Sequence, residues 1–297
     1  MDITEIMKQW VCYNCLYKDS KEFCQECLKL NALSEDYIFS LKENNTCKLC
    51  IYINRNHPKE LVIPDKICGK TVTELAHSII ESLKSDVEKI IIPDSVCKIG
   101  CSSFSQCENL KYVKLPNNIN FQGFLDFMLC KNLKEINIPN SVKVIRNYSF
   151  IDCIKLEKVA LPENLEKIEM AFGNCRLLKK IVIPDSVVQI YDFAFEDCRS
   201  LEEIKLPINL KRISDGCFRL CSELKEINIP SKVTEIGIMA FAGCRSLESI
   251  VIPESVKEIK AYAFSNCYNL KKVIMKGKVD YISSEAFHKC KNIKFIN

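Results

Sequence analysis

The sequence predicts an α/β-type repeat solenoid, mostly strand and turn, with one short parallel strand per repeat and a small cysteine-rich module ahead of it. Three observations carry this. First, phenylalanine followed three residues later by cysteine recurs at Phe104/Cys107, Phe127/Cys130, Phe150/Cys153, Phe172/Cys175, Phe195/Cys198, Phe218/Cys221, Phe241/Cys244, Phe264/Cys267 and Phe287/Cys290, a step of 23 residues that slips once to 22. A fixed period in this range marks an architecture in which each unit buries its apolar face only by stacking on its neighbours. Second, prolines recur in the same phase, at Pro93, Pro116, Pro139, Pro162, Pro184, Pro207, Pro230 and Pro253, each closing a run with apolar residues at its first and third positions. Third, three C-x-x-C pairs lie within the first 50 residues.

Taken in chain order, residues 1–56 form the cysteine-rich module and 57–297 the solenoid, with 57–86 an atypical first coil and 87–297 the regular repeats. In the module, Cys12/Cys15, Cys24/Cys27 and Cys47/Cys50 have the spacing that lets two thiolates reach one tetrahedral ion, and two such pairs complete a four-cysteine site. Structural zinc is therefore expected on four of these six cysteines. The module is barely long enough to fold alone, so the ion would stabilise it rather than catalyse. Cys24/Cys27 opens a stretch expected to be helical through Leu28, Leu30, Leu33, Tyr37 and Leu41. In the first coil, Glu60-Leu-Val-Ile-Pro64 repeats the strand-plus-proline signature, and the 29 residues from Pro64 to Pro93 suit a coil that covers an open core.

Each regular unit reads L-x-x-I-x-I-P-x-S-V-x-x-I-x-x-x-A-F-x-x-C, as in Leu247 to Cys267. The I-x-I segment alternates as a half-buried strand does, and proline then removes a donor and ends the ladder. The second half returns the chain along the opposite side, with phenylalanine as a buried spine and alanine making room for the next ring. Cysteine here is a small hydrophobe, as it commonly is when buried. Two places depart from the unit. Gln122 and Asp126 occupy slots that are apolar or small in the other coils, and the coil between Ile168 and Phe172 is one residue short, expected only to tighten a loop. The last strand, Ile293 to Ile296, offers an open edge through which two copies are expected to associate.

This unit resembles the 23-residue leucine-rich repeat of the BspA-like type, from about Leu61 onward. The resemblance implies a leucine-rich repeat solenoid and a surface for binding or adhesion; fold alone does not settle which.

Composition narrows the function. Formal net charge is +4, with 42 basic and 38 acidic side chains interspersed, so no field marks the chain for nucleic acid or a membrane surface. No segment has the 18 to 20 apolar residues of a membrane span. The first residues lack a secretory h-region, so a cytoplasmic setting with reduced thiols is expected. Three histidines, eight glycines, no phosphate-cradling loop and no nucleophile-base spacing argue against an enzyme. A non-enzymatic protein-protein interaction module is the expected function. The partner would meet the concave face, formed by the outward residues of successive strands: Tyr112, Lys114, Glu135, Asn137, Lys158, Lys180, Val182, Glu203, Lys205, Glu226, Asn228, Val251, Lys272 and Ile274. Mixed charges with apolar anchors suit a protein better than a polyanion. The alternative is an exported surface adhesin whose N-terminal cysteines are oxidised.

Overall fold

The structure, a computed structural model, describes residues 32–33, 36–52, 58–80, 83–119 and 125–296. These residues form a succession of turns and short strands with no α-helix among them. Each regular coil but the one before Pro230 carries a strand of three or four residues just before its proline position and, in most coils, a second strand of two residues after it, as at Lys180–Val182 and Gln189–Ile190. Two strands per coil, not one, is the first correction to the sequence reading. The second strand escapes period-2 reading because two residues hold only one alternation.

Neighbouring coils stack in parallel and in register, so that Ile136 pairs with Val159, Ile181 with Ile204 and Ile250 with Val273. The inward slots collapse onto one continuous core. Ile90, Ile168, Ile183, Leu201, Leu224, Ile259 and Leu270 are all fully buried.

Down this core runs the expected spine. Eight consecutive ring pairs from Phe104 to Phe287 are stacked with centroids 5.2–5.8 Å apart and planes within 16°. Such spacing with nearly parallel planes is offset stacking, which avoids the repulsion of a face-to-face sandwich. Ala171, Ala194, Ala240, Ala263 and Ala286 precede the ring in five coils, and each is fully buried. The backbone fastens the same side: Phe172 N–H donates to Ala194 O at 2.9 Å, Phe195 to Cys217 O at 3.0 Å and Phe241 to Ala263 O at 2.7 Å.

The cysteines also act along the axis. The thiols of Cys130, Cys153, Cys175, Cys198, Cys221, Cys244, Cys267 and Cys290 each donate to the carbonyl of the phenylalanine one coil earlier, at 3.0–3.3 Å. A buried carbonyl is thereby satisfied by a group that is otherwise apolar. Cys217 and Cys221 remain free thiols. The residue before each cysteine has left-handed backbone, φ between 56° and 77° from Gln106 through Leu129, Asp152, Asn174, Asp197, Leu220, Gly243 and Asn266 to Lys289. Asp, Asn and Gly suit that slot; Leu and Lys occupy it against their preference.

At the amino-terminal end, Tyr37–Leu41 and Thr46–Tyr52 form an antiparallel hairpin, and the second of these strands pairs in parallel with Lys70–Leu75 of the atypical coil. The sheet thus crosses the expected boundary at residue 56. The helix expected through Tyr37 and Leu41 is a strand instead; Leu28 and Leu30 lie outside the described residues. Tyr37, Ile38 and Phe39 are consecutive and all buried, a pattern that strand-favouring aromatic and β-branched residues satisfy and an amphipathic helix does not. The first regular coil sits tightly on this cap. A Cβ added at Gly100 would lie 2.4 Å from the backbone nitrogen of His77, so only glycine permits the approach.

Candidate binding face

The outward residues of the pre-proline strands lie where the sequence places them. Tyr112, Lys114, Glu135, Asn137, Lys158, Lys180, Val182, Glu203, Lys205, Glu226, Asn228, Val251 and Lys272 are exposed, and Ile274 is half-buried. Val182 is 50% exposed and Val251 40%, which makes them apolar anchors in a charged field. Some charges are already paired between coils: Lys180 Nζ lies 2.7 Å from Glu203 Oε2, and Lys89 pairs with Glu60 at 2.8 Å. Both are surface pairs, worth little in stability but enough to orient the side chains.

The face is not one sheet. Strands 60–62, 89–91 and 112–114 form one paired block, 135–137 with 158–160 a second, 180–182 with 203–205 a third, and 249–252, 272–275 and 294–296 a fourth. Residues 226–228 pair with neither side. Between Lys158–Ala160 and Lys180–Val182 the opening widens to a groove of about 880 Å³. It is lined by the apolar Val159, Leu161 and Ile181 and by charges of both signs on each side, Glu157, Lys158 and Glu163 on one coil and Lys179, Lys180 and Asp185 on the next. Val159 and Leu161 are half-buried, whereas the same slots are almost fully covered in the next coil, at Ile181 and Ile183.

The one-residue deletion falls in the same coil as Val159 and Leu161, on the side behind the groove. In six coils a second left-handed residue stands two before the phenylalanine, at Ser102, Tyr148, Phe193, Gly216, Met239 and Tyr262; the short coil ending at Phe172 has none, and neither have those ending at Phe127 and Phe287. The deletion was expected to tighten a loop. The short coil lacks the left-handed turn residue and carries the groove on its strand side. At the other irregularity, Asp126 is half-buried and its carboxylate accepts from Ser102 Oγ at 3.2 Å and from Met128 N–H at 3.4 Å, so its polarity is satisfied locally; Gln122 lies outside the described residues.

Among the cysteines expected to hold zinc, Cys12, Cys15, Cys24 and Cys27 lie outside the described residues. Cys47 and Cys50 share the strand Thr46–Tyr52, where Cys47 faces the core beside Leu49 and Cys50 is half-buried. The strand register slips by one at Cys50, and the two thiols sit on one extended strand rather than on a turn. Burial also pushes the Cys47 thiol up to about 11, away from the thiolate a metal needs. Among the described residues no three His, Cys, Asp or Glu side chains are grouped to hold an ion. No helix among them is long and apolar enough to cross a membrane.

With the stacked coils and their strand face established, the family follows from the repeat itself: the BspA type leucine rich repeat region matches in six copies, over residues 82–200 and 169–294. The chain belongs to the BspA-type leucine-rich repeat family. It is similar to the crystal structure of a leucine-rich repeat protein from Bacteroides ovatus, at 26% identity, with a TM-score of 0.67 over 89% of this chain and 81% of that one. A leucine-rich repeat protein from Eubacterium ventriosum shares the fold at 17% identity, with a TM-score of 0.52 over 88% of this chain and 94% of the other. No curated protein matches the sequence. Proteins of this repeat family are in general interaction or surface proteins, and the chain is one of them in fold.

Proposed function

We propose that this BspA-type repeat protein is a non-enzymatic recognition module that holds a protein partner on the strand face, centred on the groove between Lys158–Ala160 and Lys180–Val182. The observation that carries the reading is the partial exposure of Val159 and Leu161 in slots that the next coil covers almost completely. An apolar lining, flanking Val182 and charges of both signs are the makings of an anchor pocket with a polar surround, the arrangement in which a few side chains supply most of a protein interface's energy. A polyanion would meet Glu157, Glu163 and Asp185 as readily as the three lysines, which disfavours nucleic acid.

The test compares partner capture by wild type, Val182→Asp and Val188→Asp. Val188 is 54% exposed but lies beside the second set of strands, away from the groove. Val182→Asp is expected to weaken binding at least about tenfold, a loss of roughly 1.4 kcal/mol or more, with unchanged melting. Val188→Asp is expected to bind normally. Equal binding by all three would move the interface off this face.

Zinc is proposed for Cys12, Cys15, Cys24 and Cys27 alone, on the strength of their paired spacing. Elemental analysis is expected to find about one zinc per chain, unchanged in Cys47→Ser. A chain that carries no zinc, or loses it on that substitution, would sink this assignment.

A further inference from the structure

The coils are not all of one kind. Ile92-Pro93, Ile138-Pro139 and Ile183-Pro184 are followed by Ser and Val, at Ser95-Val96, Ser141-Val142 and Ser186-Val187. The coils between and after them read Leu115-Pro116, Leu161-Pro162 and Leu206-Pro207, followed by Asn118-Ile119, Asn164-Leu165 and Asn209-Leu210. Backbone pairing follows the same alternation. The N–H groups of Ile92, Ile138 and Ile183 donate to Lys114, Ala160 and Lys205 of the next coil, each at 3.0 Å. Those of Leu115, Leu161 and Leu206 donate to no backbone carbonyl of the coil that follows.

Side chains reinforce the same joints. The Asp94 carboxylate accepts from the N–H of Asn117 at 2.9 Å, and the Asp185 carboxylate from that of Ile208 at 3.1 Å, each tying an isoleucine coil to the leucine coil after it. The physical difference is side-chain stiffness: the residue before proline is confined to extended backbone, and β-branched isoleucine packs on a pleated surface better than leucine does. Ile229 is the exception, an isoleucine coil whose own pre-proline segment, 226–228, pairs with neither neighbour.

The openings are one-sided. Behind the groove, Lys167–Ile168 still pairs with Gln189–Ile190, and Phe172 still stacks on Phe195 at 5.3 Å. Behind the opening after Leu206, Arg212–Ile213 pairs with Glu235–Ile236 and Phe218 stacks on Phe241 at 5.4 Å.

We propose that the middle of the solenoid, from the Ile92 coil to the Leu206 coil, is assembled from isoleucine-then-leucine pairs of coils, with a third strand added to the block at each end, and that its strand face hinges at the lines after Leu115, Leu161 and Leu206, with the phenylalanine stack as the pivot. Such a face changes curvature without disturbing the core, because no paired strands bridge the moving joints and the only backbone bond beside the strands at the first of them, Lys134 N–H to Lys111 O, is long at 3.4 Å. This holds whichever partner the face receives.

Residue-resolved amide exchange and relaxation dispersion on the intact chain test it. The amides of Leu115, Leu161 and Leu206 are expected to exchange at least about 100-fold faster than those of Ile92, Ile138 and Ile183. Ala160 and Lys180 are expected to show microsecond-to-millisecond dispersion, and Asn137 and Lys158, inside a paired unit, none. Equal protection of the two sets would remove the two-coil unit. Fast exchange without dispersion would leave a static gap and overturn the hinge. Leu161→Ile is expected to slow exchange at position 161; no slowing would show that the residue before proline does not set the joint.

Discussion

Raising the pH through about 8.5 to 10 is expected to unfold the solenoid. Seven thiols, those of Cys130, Cys153, Cys175, Cys198, Cys217, Cys221 and Cys244, are held above the ordinary cysteine value, chiefly because burial takes water from the thiolate. Below the pH at which a free cysteine ionises, both folded and unfolded chains keep these protons, and the contribution to stability is fully present. As pH rises past that point the unfolded chain gives its protons up and the folded chain cannot, so stability falls. Each thiol costs about 1.4 kcal/mol per pH unit, and the seven together on the order of 10 kcal/mol per unit. That matches the whole stability of an ordinary domain, about 5 to 15 kcal/mol. Circular-dichroism melts under reducing conditions are expected to show the melting temperature dropping steeply above about pH 9, and less steeply in a Cys175→Ala/Cys198→Ala variant. A flat profile would mean that these thiols are open to water.

Phe195→Ala is expected to cost about 3–5 kcal/mol. The ring is fully buried and touches Phe172 at 5.3 Å and Phe218 at 5.8 Å, so its loss leaves a cavity between two stacks with no side chain nearby to fill it. Stability in a solenoid is a sum of coil terms and nearest-neighbour interfaces. Removing one ring therefore damages two interfaces, and denaturant unfolding is expected to split into two transitions, one for each flank. Phe287→Ala, at a half-buried position, is expected to cost less and keep a single transition. A single, slightly shifted transition for Phe195→Ala would mean that the coils are coupled over longer range than their contacts suggest.

Much of this was readable because the repeat states it nine times. Phenylalanine, alanine, cysteine and the pre-proline isoleucines each recur in one slot, and each slot has one environment. The outward strand residues followed from the same alternation. What resisted reading were features that occur once or that depend on pairs of coils. Tyr37 and Leu41 fall on a helical spacing with Leu33, and only the antiparallel partner at 46–52 reveals them as strand. The groove beside Val159 arises from two strands failing to pair, which no single coil encodes. Leucine in place of isoleucine at Leu115, Leu161 and Leu206 is a conservative exchange to the eye, and its meaning emerges only when hydrogen bonds are followed across the joint.

The aromatic stack has a practical consequence for anyone who follows this molecule by light. The chain has a single tryptophan, Trp10, far upstream of the first stacked ring at Phe104. None of the coils from Phe104 onward carries a tryptophan, so the stacked core has no emission of that kind of its own. The ultraviolet fine structure of regularly stacked phenylalanines is the native signal of the core, and a tryptophan placed at Phe287, the half-buried last ring, would give the coils an emission of their own.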